Sequence, residues 1–330
     1  MEARLWTGKI DGPGLYLGVP VEAYRDDPCP EPSLNASVAK LCLNESLAHA
    51  ASAHPKLTVE EPDEDEEDEE TKKAPTRAMD IGSAAHVLSF GVGSDISLIH
   101  APNWKKKADQ KAKKAAYEAG EIPLLPKELR RAKAMAAISG PIIQDLLAGS
   151  LVAEAMIVWQ DPEGYWYRSL IDRMRADARV IIDYKTTELS VAPEAAKKLV
   201  YTSGAYFQEG FYRRGLDILD PGGAGRRRFL FLYQEQRKPH TPCLVEASEA
   251  GRSLADEQVE LAINVWKRGV VTKEWPGHPL GPHVASPPDW MINAWVKRAE
   301  TDETLNPFHD PYEDALRDAA ARQSQHMELS

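Results

Sequence analysis

The 330-residue chain predicts an α/β (α+β) protein with a mixed central sheet flanked by helices, a helical N-terminal part and a helical insertion. Three observations predict it. Residues 154–185 pass through three strand-like stretches joined by two short turns. A helix-period segment at 192–214 is followed by an apolar strand at 228–234, so strand and helix signals alternate in the second half. Helical patterns at 33–49 and 103–149 supply flanking helices, and an apolar content of 43% is enough for a core.

In chain order, GLYLGVP near residue 14 is strand-like and DDPCPEP is a proline-broken approach to the helix at 33–49, for which Asn35 or Ser37 is a plausible cap. Pro55 ends that helix. Residues 57–76 enclose EEPDEDEEDEE, a block of like charge that predicts a disordered loop. MDIGSAAHVLSF at 79–90 is an apolar helix with Asp80 as its expected cap. The alanine-rich stretch at 103–149 predicts helices broken at 120–126 and at Gly140-Pro141. EAMIVWQ, the turn Asp161-Pro162-Glu163-Gly164 and YWYRSLIDRM form a hairpin, and ARVIIDYK adds a third antiparallel strand. Pro193 opens the next helix, which is interrupted at Gly204 and expected to stop at Gly215. Residues 228–234 and 242–247 are two more strands, a long helix runs from about 253 to 268, and the chain closes in a frayed acidic tail. The resulting organisation is 1–56 as an N-terminal segment on the core, 57–76 as the acidic loop, 77–275 as the core with its insertion at 103–149, and 276–330 as a partly disordered extension.

The formal charge of −11 argues against phosphate binding until it is localised: ten acids lie between Glu60 and Glu70, and the remainder is nearly neutral. Basic clusters at 105–107, 111–114, 130–133, 197–198, 213–214 and 226–228 then permit a nucleic-acid track. Cys29, Cys42 and Cys243 are odd in number and scattered, which argues against a disulfide framework and against a four-thiolate metal site. The absence of a long apolar run and of a leader-like start predicts a cytoplasmic chain with no membrane span.

Strand alternation puts Asp183 and Lys185 on one face with Ile181, and Tyr184 on the other with Val180 and Ile182. A short turn brings Asp172 beside Asp183, and two carboxylates so close call for a divalent cation. Glu154 supplies a third carboxylate from the first strand. Oxygen donors favour Mg²⁺, with Mn²⁺ as substitute, over zinc. Gln208 and Tyr212, four apart on the following helix, share a face and are placed to contact a phosphate or steady Lys185. His86, a lone histidine on an apolar helix, reads by itself as a core residue. Metal-assisted phosphodiester hydrolysis is the chemistry this grouping can perform.

The order Asp172, Asp183-Tyr184-Lys185, Gln208-x-x-x-Tyr212 resembles the PD-(D/E)xK nuclease superfamily in its RecB-like branch. With GLYLGVPVEAY, SLNASVAKL and GSAAHVL it resembles, more narrowly, the RecE-type exonucleases of phages and prophages, relatives of lambda exonuclease. The resemblance implies a restriction-endonuclease-like core. It implies metal ligation by Asp172, Asp183 and the main-chain carbonyl of Tyr184, Lys185 beside the attacking water, and His86 and Glu154 lining the metal site. It also implies 5′ to 3′ degradation of linear duplex DNA ends, a ring-shaped homo-oligomer and a single-strand annealing partner. Asp183 stands where Glu is commoner, and the acidic loop has no counterpart. A RecB-like endonuclease or single-strand nuclease, and an inactive DNA-binding protein of this fold, are the alternatives.

Overall fold

The strand-rich middle of the chain forms the spine of the molecule. The computed structural model describes residues 2–57, 75–147 and 151–302. The N-terminal part holds β1 (Ala3–Leu5), β2 (Gly14–Leu17), α1 (Val21–Arg25), α2 (Ala36–Asn44) and α3 (Leu47–Ser52). Next come α4 (Arg77–Phe90), β3 (Ile96–Leu98), α5 (Lys107–Glu118), β4 (Ile122–Leu124) and α6 (Pro126–Leu146). Then follow β5 (Leu151–Gln160), β6 (Trp166–Arg175), β7 (Val180–Thr187), α7 (Pro193–Thr202), α8 (Ala205–Leu219), β8 (Arg228–Glu235), β9 (Pro242–Val245) and α9 (Glu249–Thr272). Residues up to His278 make one compact unit; a second begins at Pro279 and contains α10 (Asp289–Thr301).

Seven strands share one sheet in the order β1-β2-β5-β6-β7-β8-β9. β5, β6 and β7 pair antiparallel in succession, β7 and β8 pair parallel around the α7–α8 crossover, and β9 returns antiparallel. The sheet is therefore mixed, and helices cover both faces. Leu34, Val38, Phe211, Leu216 and Trp266 pack from the α2, α8 and α9 side, whereas Ile81, Ala85, Met135 and Ile143 of α4 and α6 cover the other. The alternation along β7 is as read: Ile181 enters the first core, Val180, Ile182 and Tyr184 the second.

Several local expectations are corrected. The helix at 33–49 is two helices, because Ser46 accepts a hydrogen bond from the His49 N–H and starts α3; Asn35 caps α2 by accepting from the Ser37 and Val38 N–H groups. The cap of α4 is Thr76, and Asp80 instead lies inside the helix, accepting from the Tyr117 hydroxyl at 2.8 Å and pairing with Lys113 at 3.2 Å. α6 runs through Gly140-Pro141 unbroken, since Ser139 and Gly140 are buried against α4, where Ser139 and Ser89 share a 2.7 Å hydrogen bond. Packing there outweighs the one helical hydrogen bond that proline removes. Residues 122–124 form β4, paired parallel with β3 in a separate two-stranded sheet. The loop expected at 57–76 falls almost wholly outside the described residues, as does the tail beyond 302.

α8 also continues past Gly215, whose glycine serves close approach rather than termination: an added Cβ would stand 2.6 Å from the Trp159 ring. Gly215→Ala is expected to lower stability by about 1–3 kcal/mol through overpacking, despite the better helix propensity of alanine. A thermal melt checks this, and an unchanged or raised Tm would contradict it.

Candidate active site

The site arises where β6 and β7 part. Their ladder holds two pairs, Arg173↔Ile182 and Met174↔Ile181, and one step beyond it Asp172 and Asp183 face each other. From Asp183 onward β7 pairs only with β8, so a notch opens on its β6 side. The Tyr184 N–H at this notch points to Asp172 Oδ2 at 3.4 Å. On the far side of β6, the pairs Ala153↔Arg173 and Ala155↔Ile171 place Glu154 opposite Asp172.

β5 and β6 both change face at this point. Ala155, Ile157 and Trp159 enter the first core, yet Val152 packs on it too; in β6 the same shift separates Ile171 from Met174. Glu154 has φ +44°, a left-handed backbone that disrupts strict alternation. Such strain in a non-glycine residue clusters at functional sites.

Asp183 is 4% exposed and meets Lys185 Nζ at 2.8 Å. Gln208 of α8 bridges the pair: its Nε2 donates to Asp183 Oδ1 at 3.1 Å, and its Oε1 accepts from Lys185 at 3.2 Å. Asp183 Oδ2 is buried and accepts no hydrogen bond of good angle. His86 of α4 stands 3.5 Å from Asp172 Oδ2, its ring set edge-on against Phe90 at 4.3 Å. Burial and then the Asp172 charge push the Asp183 carboxyl up, with Lys185 opposing. Burial also raises Glu154, against the pull of His86. For Asp172 burial is outweighed by the hydrogen bond and charge of His86 and by Lys185, so its carboxyl is held below the usual range. The Lys185 ammonium is raised, because Asp183 outweighs its desolvation.

The structure thus brings Asp172, Asp183, Lys185 and Gln208 together, with His86 and Glu154 on the flanks. Tyr212 does not join them at the opening. It is buried, its ring 6.2 Å from Phe229, and from within the core it hydrogen-bonds Gln208 and senses the charges of Asp172 and Asp183. The Tyr184 carbonyl lies in the peptide linking it to Lys185, while the phenol hydroxyl donates to Gln234 on the opposite face.

Two residues escape the sequence reading. Lys40 of α2 lies against Gly204, its Nζ 3.7 Å from where a Cβ would be, and senses both Lys185 and Asp183; burial and then the Lys185 charge hold its ammonium below the usual lysine range. Its one signal is a lone lysine inside the apolar run Val38 to Leu43. Arg173 is 8% exposed, stacks over Phe90 at 5.1 Å and faces Glu154 electrostatically.

An all-oxygen donor set of two carboxylates and a carbonyl fits a hard divalent cation, which would share Asp183 with the Lys185 ammonium. Among the described residues, no three of His86, Glu154, Asp172 and Asp183 hold donor atoms within 4.8 Å of one another. The basic clusters are partly consumed by internal pairs: Arg213 binds Asp256, Arg214 binds Glu260, Arg228 binds Glu246, Lys197 binds Glu194, and the buried Arg227 binds Asp217 and Asp220. Among the described residues, no helix is long and apolar enough to cross a membrane.

No family model matches the chain, and no curated protein matches it. Among solved structures, one from Eubacterium rectale provisionally named an exonuclease is similar at TM-score 0.47 and 12% identity, covering 79% of this chain and 92% of that one. A phage-related exonuclease from Haemophilus somnus 129PT is similar at TM-score 0.29 and 12% identity, covering 58% of this chain and 95% of that one.

Proposed function

We propose that the chain is a Mg²⁺-dependent deoxyribonuclease that degrades linear duplex DNA from its ends, 5′ to 3′, leaving single-stranded tails for recombination. The observation that carries the hydrolytic part is the opposed pair Asp172 and Asp183 at the parting of β6 and β7, with Lys185 held beside it. Polarity, duplex preference, a ring-shaped homo-oligomer, a single-strand annealing partner and a cytoplasmic setting rest on the family resemblance.

In this reading Asp172, Asp183 and the Tyr184 carbonyl hold Mg²⁺ or Mn²⁺, with Glu154 and His86 on the rim. A bound divalent cation lowers the pKa of a water and neutralises charge on the phosphate oxygens. Lys185 would steady the attacking water and the charge developing on it, and the Gln208 bridge fixes where the ammonium points. His86 orients Asp172. Lys40 faces a neighbouring phosphate, supplementing a track made by Lys105 to Lys107, Arg130, Arg131 and Lys198.

The test is end-labelled linear duplex with and without Mg²⁺, beside closed circles. Release of nucleotides from the linear form alone supports the proposal; equal cutting of circles overturns the exonuclease part, and activity in EDTA overturns the metal part. Lys40→Ala is expected to raise KM for DNA about 10–100-fold, the worth of one hydrogen bond to a charged group, with kcat much less affected. An unchanged KM would remove Lys40 from the site.

A further inference from the structure

A second group of metal-binding side chains lies outside the candidate active site. Glu45 ends α2, and His49 lies four residues on in α3, one turn away across the Ser46 joint. His278 comes from the other end of the unit, and its placement is fixed by contacts that owe nothing to the three side chains. Lys273, with φ +59°, turns the chain out of α9. Trp275 then folds back on Trp266, ring centroids 5.2 Å apart, and the Pro276 carbonyl accepts from the Ala48 N–H at 3.1 Å. This return lays His278 against His49, with ring centroids 5.3 Å apart, and leaves its Nε2 4.0 Å from Glu45 Oε2.

One ligand atom from each of Glu45, His49 and His278 lies within 4.8 Å of the other two, and all three residues are exposed. Ser46 Oγ is 2.7 Å from His49 Nδ1, which leaves Nε2 as the free donor of that ring. A partner on the second nitrogen is what orients histidine ligands in metal sites.

We infer that Glu45, His49 and His278 form a surface site for Zn²⁺ or a similar borderline transition metal, clamping the segment after α9 to the α2–α3 joint. Two imidazoles and a carboxylate are a zinc donor set, with water completing the tetrahedron; the nitrogen donors select against Mg²⁺. Donor atoms within 4.8 Å of one another come to the roughly 3.3 Å separation of tetrahedral zinc ligands by rotation of exposed side chains. The site is independent of the nuclease reading, since none of its residues touches Asp172, Asp183 or Lys185.

The experiment uses the full chain without a polyhistidine tag, ZnCl₂ as probe, and equilibrium dialysis beside thermal melts. The expected result is a saturable equivalent of Zn²⁺ that survives excess Mg²⁺, persists in Asp172→Asn/Asp183→Asn, and weakens by about 10-fold or more in His49→Ala and in His278→Ala. Zn²⁺ should raise the Tm of the unaltered chain but not of the His49→Ala/His278→Ala double variant, whose metal-free melt should match the parent and so show that it folds. Failure to find saturable Zn²⁺ binding, or affinity unchanged by the double substitution, overturns the site.

Discussion

Lys185→Ala is expected to lower Mg²⁺-dependent cleavage of linear duplex DNA by about 10²–10⁴-fold, the range for losing a positioned proton-transfer or charge-stabilising group. Two losses combine. In the proposed mechanism the ammonium that steadies the attacking water is lost, and Asp183, 4% exposed and with its carboxyl already pushed up by burial, loses its 2.8 Å counter-charge. Gln208→Ala separates them, because it leaves both charges in place while removing the bridge that holds 3.1 Å and 3.2 Å contacts to each. Its loss should be smaller and should fall on kcat. Single-turnover rates at saturating DNA make the comparison, and a Lys185→Ala chain with full activity would end the proposed mechanism.

The largest stability effect is expected at Arg168→Ala, about 3–5 kcal/mol, because it takes from a buried carboxylate its one fully buried cation and leaves only the more distant, partly exposed Lys56 at 3.9 Å. Arg168 and Asp27 are 1% and 0% exposed and 3.1 Å apart. Arg168 on β6 also donates to the Tyr24 carbonyl at 3.1 Å and the Ser33 hydroxyl at 2.7 Å, tying the N-terminal loop to the sheet. Asp27 accepts from the Ser33 N–H at 2.7 Å and lies 3.1 Å from His54 Nε2. Burial alone would raise the Asp27 carboxyl; His54 and Arg168 outweigh it and lower it from 3.8 to about 2. A depressed carboxylate contributes stability that is complete above its unfolded value and lost as pH falls through its folded one. The roughly 2 kcal/mol this represents should therefore fade between about pH 4 and pH 2. Urea unfolding at pH 7 and pH 3 measures both effects, and an Arg168→Ala chain as stable as its parent would show that the network is dispensable.

The active-site grouping was legible where it depends on short-range rules. The short turn at Arg175 to Ala178 and the strand period of two place Asp172 opposite Asp183 and separate Lys185 from Tyr184. Helical spacing puts Gln208 and Tyr212 on one side of α8, but it does not tell depth: packing against Phe229 takes Tyr212 inside. Lys40 and Arg173 were not legible, because one depends on α2 docking beside Gly204 and the other on the change of face at Glu154. Thr76 displaced Asp80 as a cap because Tyr117 and Lys113, some 35 residues away, claim that carboxylate.

The sequence by itself determined the strand and helix order, the opposed carboxylates, the lysine beside them and the neutrality of the chain outside one acidic block. These follow from backbone periodicity, turn chemistry and charge, which act over a few residues. Only the tertiary structure decided where β6 and β7 part, that Lys40 of α2 lies near Lys185 and Asp183, that α6 and α8 run through their breakers, and that His278 returns to His49. Those outcomes depend on close packing between elements distant in the chain, whose free energy outweighs local preferences of about 1 kcal/mol and leaves little mark on any short stretch of sequence.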